Sequence, residues 1–261
     1  MPRFAANLSM LFTEVPFLDR FKAAREAGFT AVEFLFPYEY GLDKVKARLE
    51  ENGLKVVLFN LPAGDWAAGE RGIAANPQRV DEFRAGVQQA AAWAVELGAP
   101  RLNCLAGKEI AGVAAAEQER VLKENVRYAA AVLQDKGLKL MLEPINHFDI
   151  PGFLLNTSNQ VMQLIAEIGA PNVYLQYDVY HAQREEGELT ATIRKHFQQI
   201  GHIQIADNPG RHQPGTGEIN YKFLLQELDA LGYEGYVSLE YVPEPDTLTS
   251  LNWISEHGFK L

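Results

Sequence analysis

A single cysteine, Cys104, stands in a chain of 261 residues. That scarcity excludes an intramolecular disulfide and any multi-cysteine zinc or iron–sulfur centre, and it fits a reducing compartment such as the cytoplasm. No uninterrupted apolar run approaches about 18 residues, so no bilayer span is expected. The opening stretch, Met1 to Phe12, has one Arg and an apolar run broken by Asn7 and Ser9, a poor secretory signal. Positive charge is in deficit: 24 Lys and Arg against 34 Asp and Glu leave a formal charge of −10. A field of that sign repels phosphodiester backbones and anionic lipid surfaces, so neither nucleic acid nor membrane is expected as a partner. Gly/Ser-rich and Pro-rich linkers are also missing, so one domain over residues 1–261 is expected.

What is present is a recurring unit. Helical periodicity runs up to a glycine, and a short β-branched or aromatic stretch ending in a polar residue follows, as in ENG-LKVVLFN, ELG-APRLNCL and EIG-APNVYLQYD. The glycines at 28, 53, 98, 137, 169, 201 and 232 read as helix stops, because glycine accepts positive φ without a Cβ clash. Val80, Phe83, Val87, Ala90, Ala94 and Leu97 fall on one helical stripe, and Leu248, Leu251 and Ile254 on another. The strands KVVLFN and KLMLE are nearly continuous apolar runs, the pattern of parallel strands covered by helices. With Arg3–Asn7 as a first strand, eight strands alternate with eight helical segments. At roughly 250 residues this is an α/β chain folded as one (β/α)₈ TIM barrel. An open doubly wound sheet is the alternative, but N-L-S-M-L-F after the first strand lacks the glycine-rich phosphate turn such sheets normally carry.

In such a barrel the active site lies at the C-terminal strand ends, which here carry Asn7, Glu33, Asn60, Asn103, Glu143, Asp178, Gln204 and Glu240. The last four occupy consecutive strands, so they converge on one mouth. A lone strand-end carboxylate is usually a cap or a surface group. Three held together repel unless protonated or bridged by a cation, and an all-oxygen donor set favours a divalent metal, Mg²⁺ or Mn²⁺, over structural zinc. Glu143, Asp178, Gln204 and Glu240 are therefore the candidate metal ligands.

The longer motifs carry a resemblance. N-L-S-M-L-F at 7–12, F-P-Y at 36–38, N-L-P-A-G-D-W-A-A-G-E-R-G at 60–72, E-P-I-N-H-F-D-I-P-G-F at 143–153, Q-Y-D-x-Y-H at 176–181, H-I-Q-I-A-D-N-P at 202–209 and P-G-T-G-E-I-N-Y at 214–221 are similar to the hydroxypyruvate isomerase family. That family lies within the xylose-isomerase-like TIM barrels, close to the 2-oxo-tetronate isomerases, and the resemblance covers essentially the whole chain. It implies interconversion of hydroxypyruvate and tartronate semialdehyde (2-hydroxy-3-oxopropanoate). It also implies Glu143 and Glu240 as the acid/base pair, and both of them with Asp178 and Gln204 as the metal quartet. Some members carry His before N-L-P where this chain has Phe59, which leaves fine substrate preference open. Gln204, where ketose epimerases tend to carry His, points to the hydroxypyruvate branch.

The reaction asks for a proton to leave C3 and one to arrive at C2 through an anionic enediolate. Two carboxylates, Glu143 and Glu240, supply the proton traffic, with the order between them left open, and a metal stabilises the charge. The substrate, a small hydroxy or keto acid, is itself an anion. Arg71, Lys108, His181 and Arg211 are the candidate substrate-binding residues, Arg offering a bidentate match to carboxylate. Arg71, Lys108 and Arg211 have a plain alternative as loop salt bridges. His202 shares Gln204's inward parity and is expected to be structural; His147 and Asp149 are placed to cover the site. Trp66 reads as a lid or a packing anchor, and Cys104 as buried and inert. A homo-oligomer is compatible with the sequence. The competing functions are a 2-oxo-tetronate isomerase, a ketose 3-epimerase, an abasic-site endonuclease on the same barrel, and a non-catalytic sugar-acid sensor. The nuclease needs more histidine ligands at the strand ends and a basic groove, and a sensor has no use for two opposed carboxylates.

Overall fold

The computed structural model describes residues 1–261. Eight parallel strands close in sequence order: β1 (Arg3–Asn7), β2 (Ala31–Glu33), β3 (Lys55–Asn60), β4 (Arg101–Cys104), β5 (Lys139–Leu142), β6 (Val173–Asp178), β7 (Ile200–Ile205) and β8 (Tyr236–Leu239). β1 pairs with β8, with Ala6 opposite Leu239, and that pairing completes the barrel. Each strand is followed by helix: α1 (Phe17–Glu26), α2 (Leu42–Asn52), α3 (Val80–Leu97), α4 (Ala115–Gln134) and α5 (Ser158–Ile168) after the first five, α6 (Val179–Glu185) and α7 (Leu189–His196) after β6, α8 (Tyr221–Ala230) after β7, and α9 (Thr247–Ser250) and α10 (Asn252–Glu256) after β8. No helix is long and apolar enough to cross a membrane.

Apolar burial sits mainly between sheet and helices. Val56, Phe59, Leu102, Leu140, Leu142, Leu175, Ile203, Ile205, Val237 and Leu239 join one large core with Phe83, Val87, Ala90 and Ala94 of α3. Phe59 belongs to that outer layer, with its ring 5.9 Å from Phe34, so the residue that departs from the family pattern packs against hydrophobic neighbours.

One glycine expectation fails, and so does the single C-terminal stripe. Gly53, Gly98 and Gly169 cap α2, α3 and α5 in the left-handed conformation. Gly201 instead lies inside β7, where a Cβ would come within 2.7 Å of both Met141 Sδ and Tyr174 Cβ; close packing inside the barrel, and not helix termination, requires glycine there. Near the C-terminus the expected single stripe is split into α9 and α10. Leu248 is 63% exposed while Leu251, Trp253 and Ile254 are buried, because the first turn directs Thr247 and Ser250 inward in its place.

Candidate active site

The alternate residues of the strands point into the barrel, and at its C-terminal end they are polar. Asn7, Glu33, Asn60, Asn103, Glu143, Asp178, Gln204 and Glu240 are all buried. Their bonds cross the lumen: Glu33 on β2 accepts from Gln204 Nε2 on β7 at 2.8 Å, although those strands are not neighbours.

Glu143 and Glu240 stand one residue beyond β5 and β8. Glu143 Oε2 accepts from Asn103 Nδ2 at 2.8 Å, and Glu240 accepts from Asn7 Nδ2 at 3.0 Å on one oxygen and from Arg211 Nη2 at 2.7 Å on the other. The same guanidinium nitrogen lies 3.4 Å from Asp178 Oδ2. Burial, reinforced by the neighbouring Asp178 charge, pushes the Glu143 carboxyl up to about 8. Burial also holds Glu240 well above the ordinary carboxylate range, with Arg211 opposing and Asp178 and Glu143 adding to the rise. Asp178 is raised by burial as well. Three carboxyls in one dry mouth thus resist simultaneous ionisation.

Asp178 and His181 are placed by one local device. Asp178 ends β6 and caps α6, accepting from Tyr180 N at 2.9 Å, so the first turn of that helix brings His181 Nε2 to 3.6 Å from Asp178 Oδ2. Asn146 fixes the imidazole. Its Oδ1 accepts from Asp149 N and its Nδ2 faces His181 Nδ1 at 2.6 Å, so Nδ1 is the acceptor and Nε2 carries the proton. Burial, helped by Arg211 and Arg184, keeps that ring neutral by lowering its pKa well below the usual value. His181 therefore offers an N–H to an oxygen in the mouth.

Arg211 comes from the loop after β7. Its backbone takes a positive φ of 58°, held by Arg211 N donating to Asp207 O at 3.1 Å and Val242 N donating to Arg211 O at 2.8 Å. Asp207, fully buried, accepts the backbone N–H groups of Asn208, Gly215 and Ile219 and so clamps the loop. Burial by itself weakens a guanidinium's charge, but Glu240 and Asp178 outweigh it and keep Arg211 protonated.

The oxygen donors fit a divalent cation. Glu143, Asp178 and His181 bring one candidate ligand atom each to within 4.8 Å of one another, and with His181 Nε2 protonated the two carboxylates are the ligands of that group while the imidazole faces them as a donor. Buried Asn103 Oδ1 has no partner within the protein, which leaves a further oxygen available nearby.

A family model described as "Xylose isomerase-like TIM barrel" matches residues 21–257. The chain belongs to the xylose isomerase-like TIM barrel family. The hydroxypyruvate isomerase of Escherichia coli K12 is 51% identical over 98% of this chain and 100% of that protein. The 2-oxo-tetronate isomerase of Cupriavidus necator is 44% identical over 98% of this chain and 99% of that one. A crystal structure from Brucella melitensis described as "AP endonuclease, family 2" superposes with a TM-score of 0.95 at 44% identity, covering 98% of this chain and 99% of that chain. With relatives of this similarity over its full length, the chain is an isomerase of this family.

The remaining expected residues fall elsewhere in the family barrel. Gln204 lies in the ring, but its Nε2 donates to Glu33 and its Oε1 accepts from Gln176 Nε2 at 2.6 Å, leaving one lone pair for a ligand. Arg71 is drawn off by its own loop: the guanidinium stacks 4.0 Å from the Trp66 ring centroid and donates to Trp66 O and Glu70 O. Lys108 is exposed, and with Arg71 it lines a separate cavity of about 360 Å³ between the loops after β3 and β4. Trp66, Phe36 and Tyr38 line a groove of about 540 Å³ over the ends of β1 to β3. His147 does not cover the site; it pairs with exposed geometry to Glu185 at 2.7 Å, while Asp149 is taken by Arg184. Cys104 is buried, which pushes its thiol up to about 12 and leaves it inert. Sequence reasoning gave no role to Asn7, Glu33, Asn103, Asn146 or Asp207. Strand parity was the available signal for the first three, since Asn7 and Glu33 end their strands and Asn103 stands one residue short of the end of β4.

Proposed function

We propose that this isomerase interconverts hydroxypyruvate and 2-hydroxy-3-oxopropanoate. The observation that carries the reading is the pair of buried carboxyls, Glu143 and Glu240, entering one mouth from β5 and β8 with a guanidinium between Asp178 and Glu240. Arg211 Nη2 and His181 Nε2–H are the donors for the substrate's carboxylate and oxygen atoms. One glutamate takes the C3 proton and the other returns a proton to C2, with the hydroxyl proton passing between the two substrate oxygens. Burial raises both carboxyls in the cation-free protein, and a bound cation would lower them again, which leaves one ionised to take the proton. A divalent cation, Mg²⁺ or Mn²⁺, held by Glu143, Asp178, Gln204 and Glu240, would supply Lewis-acid stabilisation of the enediolate charge. Cys104 and the charge balance fit a cytoplasmic enzyme whose partner is the small acid, with a homo-oligomer compatible.

The groove beside the mouth and the C. necator relative favour a second reading, in which a four-carbon 2-oxo-tetronate is the substrate. Following each acid by proton NMR in D₂O tests both. Exchange at carbon with kcat/KM higher for hydroxypyruvate by about tenfold or more supports the first reading. A reversed ratio selects the second. Cleavage of an abasic duplex without keto-acid turnover rejects both. That last outcome is not expected, because of the six histidines only His181 stands in the group with Glu143 and Asp178.

A further inference from the structure

Beneath the two glutamates lies a buried polar column that the proton transfers leave unused. Glu33 is fully buried and faces donors on both oxygens. Oε1 accepts from Asn7 Nδ2 at 2.9 Å and Gln204 Nε2 at 2.8 Å, and Oε2 lies 2.7 Å from His202 Nε2. On the far side of that imidazole, Arg101 Nη1 stands 3.3 Å from His202 Nδ1 and donates to Gly201 O at 2.9 Å. A guanidinium has only donors, so Nδ1 must accept and the proton must sit on Nε2, pointing at Glu33. Asn7 is oriented independently, because its Oδ1 accepts from Ser9 N at 2.9 Å; its amide nitrogen is thereby shared between Glu33 and Glu240. Arg101 opens β4 near the opposite end of the barrel, so the column runs from there up to the mouth.

We infer that Glu33 is a positioning residue for the proton-transfer site. It holds the Gln204 amide with its nitrogen toward position 33 and its oxygen away, and it shares with Glu240 the Asn7 amide nitrogen that Ser9 has already oriented, so that it sets where the Glu240 carboxylate rests, with His202 and Arg101 as its anchor. Only a carboxylate accepts at both ends. An amide at position 33 would turn an N–H toward another donor, and His202 cannot relieve the conflict by moving its proton to Nδ1 while Arg101 donates there. Removing the Arg101 donor frees Nδ1 to take the proton, so Nε2 could then accept from that amide.

The inference rests on the isomerase reading, and its test keeps the two apart. Mn²⁺ affinity by electron paramagnetic resonance, hydroxypyruvate kinetics and thermal melts are compared for the unaltered chain, Glu33→Gln, and Glu33→Gln combined with Arg101→Met. Glu33→Gln is expected to weaken Mn²⁺ binding about 10- to 100-fold and to lower kcat by a similar factor with KM within about threefold. The double variant is expected to regain roughly tenfold in both quantities even if its melting temperature falls further, an outcome no merely structural role gives. Glu33→Gln within about threefold of the unaltered chain, or a double variant worse than the single one in affinity and turnover, overturns the inference. Should Glu33→Gln not fold, His202→Gln, which keeps a donor, must retain Mn²⁺ affinity while His202→Leu loses about tenfold; equal affinities overturn it. An unaltered chain that binds Mn²⁺ with this variant pattern but turns over neither acid removes the isomerase reading and leaves Glu33's role standing. One that neither binds Mn²⁺ nor turns over either acid overturns both.

Discussion

Glu143 and Glu240 are the same chemical group in two settings. Glu143 has a neutral amide, Asn103, as its hydrogen-bond partner, whereas Glu240 shares a charged one, Arg211, with Asp178. Replacing either by Gln is expected to lower kcat by about 10²–10⁴, the range for loss of a positioned acid or base. The two variants should differ in KM. Glu240→Gln strips Arg211 of its closer charged partner and changes the donor that meets the substrate carboxylate, so KM shifts together with kcat. Glu143→Gln leaves Arg211's partners intact, and its KM is expected to stay within about threefold of the unaltered chain. Steady-state kinetics on the two variants, with circular dichroism to verify the fold, reads this directly. Arg211 itself holds a left-handed backbone that costs a non-glycine residue of order 1 kcal/mol or more, and the Asp207 clamp sustains it. A strained backbone at the residue bridging two acidic groups is where function would place it.

At the level of elements, strand-to-helix junctions do the positioning. Asp178 closes β6 and caps α6 with one side chain, and that economy puts His181 within reach of it. β7 shows the inverse constraint. Gly201 leaves room for Met141 and Tyr174, and a methyl group there has no space. Gly201→Ala is expected to destabilise the barrel by about 1–3 kcal/mol through overpacking, at about 2–4 °C of melting temperature per kcal/mol for a chain of this size. A scanning calorimetry trace matching the unaltered chain would contradict that packing. Thr157 caps α5 in a reciprocal box with Gln160 three residues on, a contact within one turn of chain, whereas the packing at Gly201 depends on residues of other strands.

For the whole molecule, the acidic mouth sets a pH dependence. Glu143 ionises near its ordinary value in the unfolded chain and near 8 in the folded one, so between those values the folded state holds a proton that the unfolded state has lost. Its contribution to stability is present at low pH and disappears as pH rises from about 4.5 towards 8. Glu240 and Asp178, also raised, act in the same direction. Glu33 opposes them only at low pH. Burial by itself would raise it, but His202 and its other hydrogen-bond donors bring it below the usual value, so its support is lost on acidification. In chelator-treated protein the melting temperature is therefore expected to fall from pH 5 to pH 8, and added Mn²⁺ should reverse the slope by binding the ionised carboxylates. Glu143→Gln should flatten the chelated profile. A chelated protein equally stable at both pH values would refute the protonated mouth.

The sequence by itself determined the barrel and the ring. Apolar runs closed by a polar residue, repeated at βα spacing, are local patterns, and closure then forces every inward strand end to one mouth whatever the loops do. That is why Glu143, Asp178, Gln204 and Glu240 were legible as a group. Loop conformation and side-chain hydrogen bonds across the lumen depend on residues far apart in the chain, and only the tertiary structure decided them. Arg71 turned to Trp66 and Arg211 to Glu240, though both are loop arginines after a strand. Glu33 joined His202 across 169 positions of sequence, a pairing that no spacing encodes.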